Sequence, residues 1–236
     1  MQKISALAAC GAMLWAMGGV AQAQNVDQPD YGVSDVEASA NIGAVSDYRF
    51  RGLSQSDRDP AVQGGVDVDF SSGWYLGGWA SSLSNFGGAD AEVDLYGGYA
   101  GQARGMDYSV GVQSYFYPGA DGLNFVEVNG TLAKTLGPAS VELKLAWSPD
   151  RFDGRDNLYV STRADIGIPG TPLTARARVG RENGAFDEKW DWEAGLVYSR
   201  DWLSLSASYV DTNYKGVDEA GRLGRAGFVA GVTARF

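Results

Sequence analysis

Residues 36–51 read Val36-Glu37-Ala38-Ser39-Ala40-Asn41-Ile42-Gly43-Ala44-Val45-Ser46-Asp47-Tyr48-Arg49-Phe50-Arg51. Val36, Ala38, Ala40, Ile42, Ala44, Tyr48 and Phe50 fall on one face, and Glu37, Ser39, Asn41, Asp47, Arg49 and Arg51 on the other. A period of two over this length is a β-strand with one apolar and one polar side. The pattern returns about a dozen times with no helical stretch between. The expected fold is all-β: a transmembrane, antiparallel, up-and-down β-barrel of an outer membrane, with lipid outside and polar groups inside.

Ahead of this stretch lies an export signal. Lys3 supplies the positive start, 4–20 is an apolar run, and Ala21-Gln22-Ala23 is an A-x-A cleavage site. Leu7-Ala8-Ala9-Cys10-Gly11 resembles a lipoprotein cleavage box, but the apolar run continues well past Cys10, which favours the ordinary signal. The domain plan is therefore a signal peptide at 1–23, a polar periplasmic lead-in at 24–35 and the barrel at 36–236. Cleavage removes the only cysteine, so disulfides, thiolate metal sites and cysteine nucleophiles are excluded from the mature chain. The whole chain carries a net charge of −10 and no histidine. That acidity argues against a nucleic-acid partner, which prefers a basic surface. No run of about 18 apolar residues follows the signal, so no transmembrane helix is available.

The alternation places strands at 36–50, 61–70, 74–83, 91–100, 106–117, 124–134, 139–148, 157–166, 173–181, 190–199, 202–211 and 225–236. The 74–83 strand is ambiguous in phase, and the reading taken turns Tyr75, Trp79 and Leu83 outward. Most of these lengths suit the roughly 9–11 residues that a tilted strand needs to cross a bilayer. Short connections (71–73, 101–105, 135–138, Pro169-Gly170, Arg200-Asp201) alternate with longer or more charged ones (52–60, 84–90, 118–123, 149–156, 182–189, 212–224). Short turns belong on the periplasmic side and long loops outside, which with an even strand count places both termini in the periplasm.

Aromatic residues on the outward phase gather near strand ends. Phe70, Tyr99, Tyr108, Tyr198 and Phe236 form one expected girdle; Phe50, Phe116, Trp147, Trp192 and Tyr209 form the other. The middles of these faces are mostly Val, Leu, Ala and Ile, as lipid requires. A soluble lipocalin-like barrel would invert the arrangement, with the apolar face inside. Charge load favours the membrane barrel, because the ionic residues concentrate on one phase and suit a wet interior.

Ser39-Ala40-Asn41-Ile42-Gly43, Val45-Ser46-Asp47-Tyr48-Arg49-Phe50-Arg51-Gly52, Ser54-Gln55-Ser56, Asp59-Pro60-Ala61-Val62-Gln63-Gly64-Gly65, Gly73-Trp74-Tyr75-Leu76-Gly77 and Trp79-Ala80-Ser81 together resemble the TorF family of porin-like proteins, also called the Gcw_chp family. Glu92-Val93-Asp94-Leu95-Tyr96-Gly97-Gly98-Tyr99 is similar to it too, while the second half matches only in general character. The alternating strand that ends at Phe236 is similar to the end signal read by the barrel-assembly machinery. The resemblance implies a porin-like protein in the outer membrane of a Gram-negative bacterium and carries over no particular substrate.

Enzyme chemistry is the first alternative. Some outer-membrane barrels hydrolyse lipids, but they need a serine activated by a base, normally histidine. Lys134, Lys144, Lys189 and Lys215 show no serine in a recognisable motif. The carboxylate pairs Asp67/Asp69 and Glu92/Asp94 suit a glycosidase in spacing, but read better as solvated lumen charges. Asp211, Asn213 and Gly216 hint at a calcium loop that Lys215 spoils, and Asp150, Asp153 and Asp156 at an acidic loop able to bridge lipopolysaccharide through a divalent ion. A solvated loop is the simpler reading, so no metal and no cofactor are expected.

Function is sought in the lumen. Lys144, Arg163, Arg176 and Arg178 form a basic group on the seventh to ninth strands. Asp47 and Arg49 on the first strand, Asp67, Asp69, Glu92 and Asp94 on the second and fourth, and Asp191 and Glu193 on the tenth complete the expected lining. Opposed rows of charge would set a field across a water-filled bore and orient small polar solutes. The competing expectation is that Glu142, Asp165 and the arginines pair across strands and fill the interior. The reading is a passive porin-like channel for small hydrophilic or ionic solutes. The alternative is a non-conducting structural or surface-interaction barrel that acts through Asp57-Arg58-Asp59 and the 212–224 loop. Expected partners are outer-membrane lipid and lipopolysaccharide, the assembly machinery and small solutes. The oligomeric state is not encoded in any recognisable face.

Overall fold

A computed structural model of the chain describes residues 35–236, apart from Asp121 and Asp153. The expected signal peptide with Cys10, and all of the lead-in but Asp35, lie outside the described residues. The strands are β1 (Val36–Val45), β2 (Arg49–Phe50), β3 (Leu53–Ser54), β4 (Ala61–Phe70), β5 (Trp74–Phe86), β6 (Ala89–Ala103), β7 (Met106–Phe116), β8 (Phe125–Leu136), β9 (Ala139–Phe152), β10 (Arg155–Gly167), β11 (Leu173–Gly184), β12 (Lys189–Arg200), β13 (Leu203–Thr212) and β14 (Gly227–Arg235). Twelve of them form a closed antiparallel barrel, each beside its neighbour in the chain, with β1 against β14 closing the ring. β2 and β3 form a separate hairpin. No helix is long and apolar enough to cross a membrane.

Directly paired residues share a face, so the register sorts the side chains. Val128 meets Trp147, Leu132 meets Leu143, and Leu145 meets Val160 on the outer face. Thr131 meets Lys144, and Arg163 meets both Glu142 and Arg178, on the inner face. The outer side chains are apolar and exposed around the ring, as at Ile42, Val66, Leu95, Val110, Leu145 and Leu196. A surface this apolar is stable against acyl chains, not water.

Turn chemistry fixes the register at the end that carries Val36 and Phe236. Ala103 pairs with Met106 across Arg104 (φ 52°) and Gly105 (φ 71°), a two-residue turn with both centres left-handed. That geometry matches the right-handed twist of the strands, and glycine adopts it without steric cost.

Three expectations are corrected. The first strand ends at Val45 rather than residue 50, because the segment after it folds into the barrel. The 74–83 strand has the opposite phase. Trp74, Leu76 and Ala80 point outward, whereas Trp79 (6 % exposed) and Leu83 are buried inside. Trp79 can turn in because the in-folded Tyr48 meets its ring edge-on, at 5.5 Å between centroids. Finally, β5, β6, β9, β10 and β11 run further than expected, which shortens the 84–90, 149–156 and 182–189 connections. The long connections that remain at the far rim are 46–60, 117–124 and 213–226, the last with a single 3-10 turn at Gly221–Gly224.

Candidate functional site

The site is the bore, and its central feature is the 46–60 segment. β2 and β3 pair as Arg49 with Ser54 and Phe50 with Leu53, around a turn at Arg51 (φ 49°) and Gly52 (φ 86°). Side-chain caps hold the segment in shape. The Ser54 hydroxyl donates to Asp47 Oδ1 (2.7 Å), Arg49 Nε donates to Asp47 Oδ2 (2.8 Å), and Tyr48 N donates to Ser56 Oγ (2.9 Å).

The hairpin spans the lumen. On one side Tyr48 donates its hydroxyl to Glu92 Oε2 (3.1 Å) and packs on Trp79. On the other, Gly52 lies against β12 and β13 so closely that a Cβ there would come 2.9 Å from the Cβ atoms of Asp191 and Thr212. Glycine serves both the left-handed turn and this approach. At the tip, Arg51 Nη2 binds both oxygens of Glu127 on β8 (2.6 and 2.8 Å), and Nη1 binds Glu182 on β11 (2.7 Å). Lys189 completes the cluster, at 2.6 Å from Glu182 Oε2 and donating to the Arg51 carbonyl (2.9 Å). Burial disfavours the charge on Arg51, but the carboxylates of Glu127 and Glu182 outweigh it and hold the guanidinium well above its ordinary value. The guanidinium also stacks over the rings of Tyr159 (4.2 Å) and Phe50 (4.6 Å). Four charges that sum to zero thus cross the bore where little water reaches.

The hairpin divides the interior. Toward the terminal end is a cavity of about 130 Å³, lined by Asp94, Tyr96 and Gln113 on one wall, by Lys144, Arg163, Arg176, Arg178 and Glu193 on the other, and by Asp47 to Arg51. Toward the far rim is a vestibule of about 610 Å³, lined by Phe50, Leu53, Arg151, Arg155, Phe186, Lys189 and Tyr214 among others. Phe50 borders both.

The expected lining residues on the strands all lie on the inward phase: Lys144, Arg163, Arg176, Arg178, Asp67, Asp69, Glu92, Asp94, Asp191 and Glu193. Asp47 and Arg49 are also inside, but on the in-folded segment rather than on a strand. Asp67, Asp69, Glu92 and Asp191 lie outside the set that borders the cavity. The two walls differ in how they are held. The basic wall is ion-paired along itself: Arg163 with Asp165 (3.0 Å) and Glu142 (3.5 Å), Arg176 with Asp165 (2.7 Å), and Arg178 with Asp191 and with Glu193 (3.7 Å). The acidic wall is held by neutral donors: Gln113 to Asp94 (2.8 Å), Tyr96 to Asp67 (2.5 Å) and Tyr48 to Glu92. The expected pairing of Glu142 and Asp165 with arginines is present, yet it runs along the wall and leaves the cavity beside it.

Of the aromatic positions, Phe70, Tyr99, Tyr108, Phe116, Trp147, Trp192, Tyr198, Tyr209 and Phe236 follow the outward phase. Phe50 does not. It is inside, edge-on to Tyr115 at 5.7 Å, because its segment leaves the wall after Val45. Trp74, Trp190 and Trp202 are exposed aromatics that the alternation had not singled out, and Phe228 is exposed on the outward phase of the last strand, as its alternation gives. The suspected calcium ligand Asp211 is taken by Lys215 Nζ (3.0 Å), and no metal-ligand cluster occurs among the described residues. Asp153 lies outside them.

Sequence reading also missed the roles of Tyr48, Arg51, Trp79, Glu127, Glu182 and Lys189. One signal was available: Ser46 interrupts the apolar face of the first strand immediately before the chain turns inward.

A closed twelve-strand meander with an apolar exterior and a charged interior resembles the fold of outer-membrane porins. Solved structures of this kind match it: the KdgM porin (TM-score 0.59, 10% identity, 84% of this chain and 99% of that one), the KdgM porin in complex with disordered oligogalacturonate (0.59, 9%, 84% and 98%) and the NanC porin in a rhombohedral crystal form (0.58, 11%, 85% and 99%). At such identities the likeness is one of fold. The chain belongs to the Gcw_chp family, described as bacterial protein of unknown function, whose model matches residues 30–236. No curated protein sequence matches it significantly.

Proposed function

We propose that this protein is a passive, porin-like channel of the outer membrane for small hydrophilic or ionic solutes, narrowed by its own 46–60 hairpin. The observation that carries the reading is the charge-lined cavity beside the hairpin, inside a barrel whose outer face is apolar. A polar interior costs little where its groups pair with one another or where water or a polar solute reaches them, and a cavity beside the paired walls leaves room for the latter. The basic arc Lys144, Arg163, Arg176 and Arg178 and the acidic arc Asp67, Asp69, Glu92 and Asp94, with Asp47, Arg49, Asp191 and Glu193, would line the path. Porins of like fold, one of them solved with an oligogalacturonate, support this reading, as does the resemblance to the TorF porin-like family. Residues 1–23 are the cleaved signal, the terminal end faces the periplasm, and the outward aromatics sit in the headgroup regions next to lipid and lipopolysaccharide. The strand ending at Phe236 is what the assembly machinery reads. No enzyme activity belongs to this reading.

Planar-bilayer recording on the purified barrel tests the proposal. Discrete, salt-dependent conductance steps are expected, and silence across salts rejects the channel.

A second reading has its own observation in favour. The Arg51–Glu127–Glu182–Lys189 cluster ties the hairpin tip to the wall across the bore, which suits a non-conducting barrel that acts through its rim. There, Asp57 pairs with Arg222, and Arg58 donates to the carbonyls of Arg225 and Ala226, tying the two expected contact loops into one surface. Deleting that rim would then abolish surface binding and leave solute uptake unchanged.

A further inference from the structure

The cavity beneath the hairpin carries buried polar atoms of opposite kind that lack a complementary partner. Asp94 Oδ1 on the β6 wall meets no N–H or hydroxyl donor among the described residues and has the second carboxyl group of Glu92 beside it, while Arg176 Nη2 on the β11 wall and Trp79 Nε1 beside Asp94 have no acceptor among them. All three residues border the same cavity and are at least nine-tenths buried. Their remaining polar groups are engaged in ways that fix their direction. Asp94 Oδ2 accepts from Gln113, and Arg176 Nε donates to Asp165.

An unmet buried carboxylate oxygen and an unmet buried guanidinium nitrogen are both costly, the charged forms above all. In the strand order β6 and β11 stand five places apart around the ring of twelve, so the two groups approach the cavity from nearly opposite walls. A lone anion bound to Arg176 would face Asp94, and a lone cation bound to Asp94 would face Arg176 and Lys144. A molecule with an ammonium at one end and a carboxylate at the other satisfies both walls at once. The cavity, about 130 Å³, admits only a small one.

We infer that the cavity is a selectivity site for small zwitterions, with the ammonium received by Asp94 and the carboxylate by Arg176. This names the solute class of the channel proposed above and rests on that reading for its transport consequence. The same geometry assigns Trp79 Nε1 to the solute's acceptor oxygens or to a bridging water.

The test uses the purified full-length barrel and a length series of probes: glycine, β-alanine and γ-aminobutyrate, with glycerol, acetate and ethylammonium as neutral, anionic and cationic controls. Uptake into proteoliposomes gives the ratio of each probe to glycerol, and calorimetric titration in detergent reads binding directly. One of the zwitterions should enter faster than glycerol and bind with measurable heat. Asp94→Asn and Arg176→Gln should each lower that ratio by about tenfold, the effect of losing one charge-assisted hydrogen bond. Heat-modifiable migration shows which variants are folded, and wild-type calorimetry decides the matter if neither is. Glycerol entry without zwitterion preference or binding overturns this site and leaves the channel standing. Zwitterion binding with no entry of any solute keeps the site and removes the channel.

Discussion

Arg51 and Glu127 meet inside the barrel through one guanidinium nitrogen set 2.6 and 2.8 Å from the two carboxylate oxygens, although 76 residues separate them in the chain. Both side chains are almost wholly shielded from solvent. This contact fixes the hairpin tip to the wall, so the state of the bore depends on it. Replacing Arg51 with Ala removes the guanidinium that pairs directly with both Glu127 and Glu182, leaving Lys189 as the cation in contact with Glu182 and the Tyr115 hydroxyl as the donor to Glu127. A loss of about 3–5 kcal/mol is expected when a buried pair is broken in this way. In bilayers the R51A barrel should show larger conductance than wild type. Equal conductance in a folded R51A barrel would show that the hairpin does not limit flow.

Gly52 makes a second, independent handle on the same segment. Its φ of 86° is rarely open to a β-branched residue, and a Cβ would press on Asp191 and Thr212. Gly52→Val should displace the tip at a cost of about 1–3 kcal/mol. Limited trypsin digestion should then cut after Arg49, Arg51 or Arg58, where wild-type protein resists.

Charge reversal tests the basic wall. Arg176→Glu with Arg178→Glu places acid where guanidinium groups border the cavity. Reversal potentials in a salt gradient should move toward cation preference. An unmoved potential in a folded variant would take these arginines out of the conduction path.

Leu143 and Leu76 test which face meets lipid. Both lie on the outward phase, the latter on the strand whose phase the sequence left open. Arginine at either site should destabilise the barrel in vesicles by about 2–4 kcal/mol if it lies near the bilayer midplane. Equilibrium unfolding from liposomes reads the effect, and a silent Leu76→Arg would argue that this strand does not present Leu76 to acyl chains.

How much of this was legible beforehand follows from where side chains alternate cleanly. Along the strands from Val93 to Phe116 and from Val126 to Val179, apolar and ionic residues mostly alternate, with Lys134 opposite outward Val141 as an exception, and the register follows the pattern. The parity fails where small residues carry no preference. Gly77 and Gly78 sit in the middle of β5, and Tyr96 lies over Gly77, so the sequence offered no vote between Trp74 and Trp79. The lumen charges were readable as a set because their phase was readable. Their partners were not. Arg51 contacts Glu127 and Glu182 only because a short segment leaves the wall, and that depends on long-range closure which no local period records.

The meander has a topological consequence. Every neighbouring pair of barrel strands is consecutive along the chain, β2 and β3 aside, except β1 and β14, whose alignment spans Asn41–Val45 against Gly231–Arg235 with an added Ala40–Phe236 exchange. That join's five aligned pairs are half the ten that match β1 with β4, with one further backbone contact at each end, Ala40 with Phe236 and Ser46 with Ala230. Until it zips, the molecule is a curled ribbon with two raw margins, each a template for a foreign strand. The hoop is therefore only as sound as its shortest weld, and a lesion on either side of it threatens the whole circumference rather than one stave.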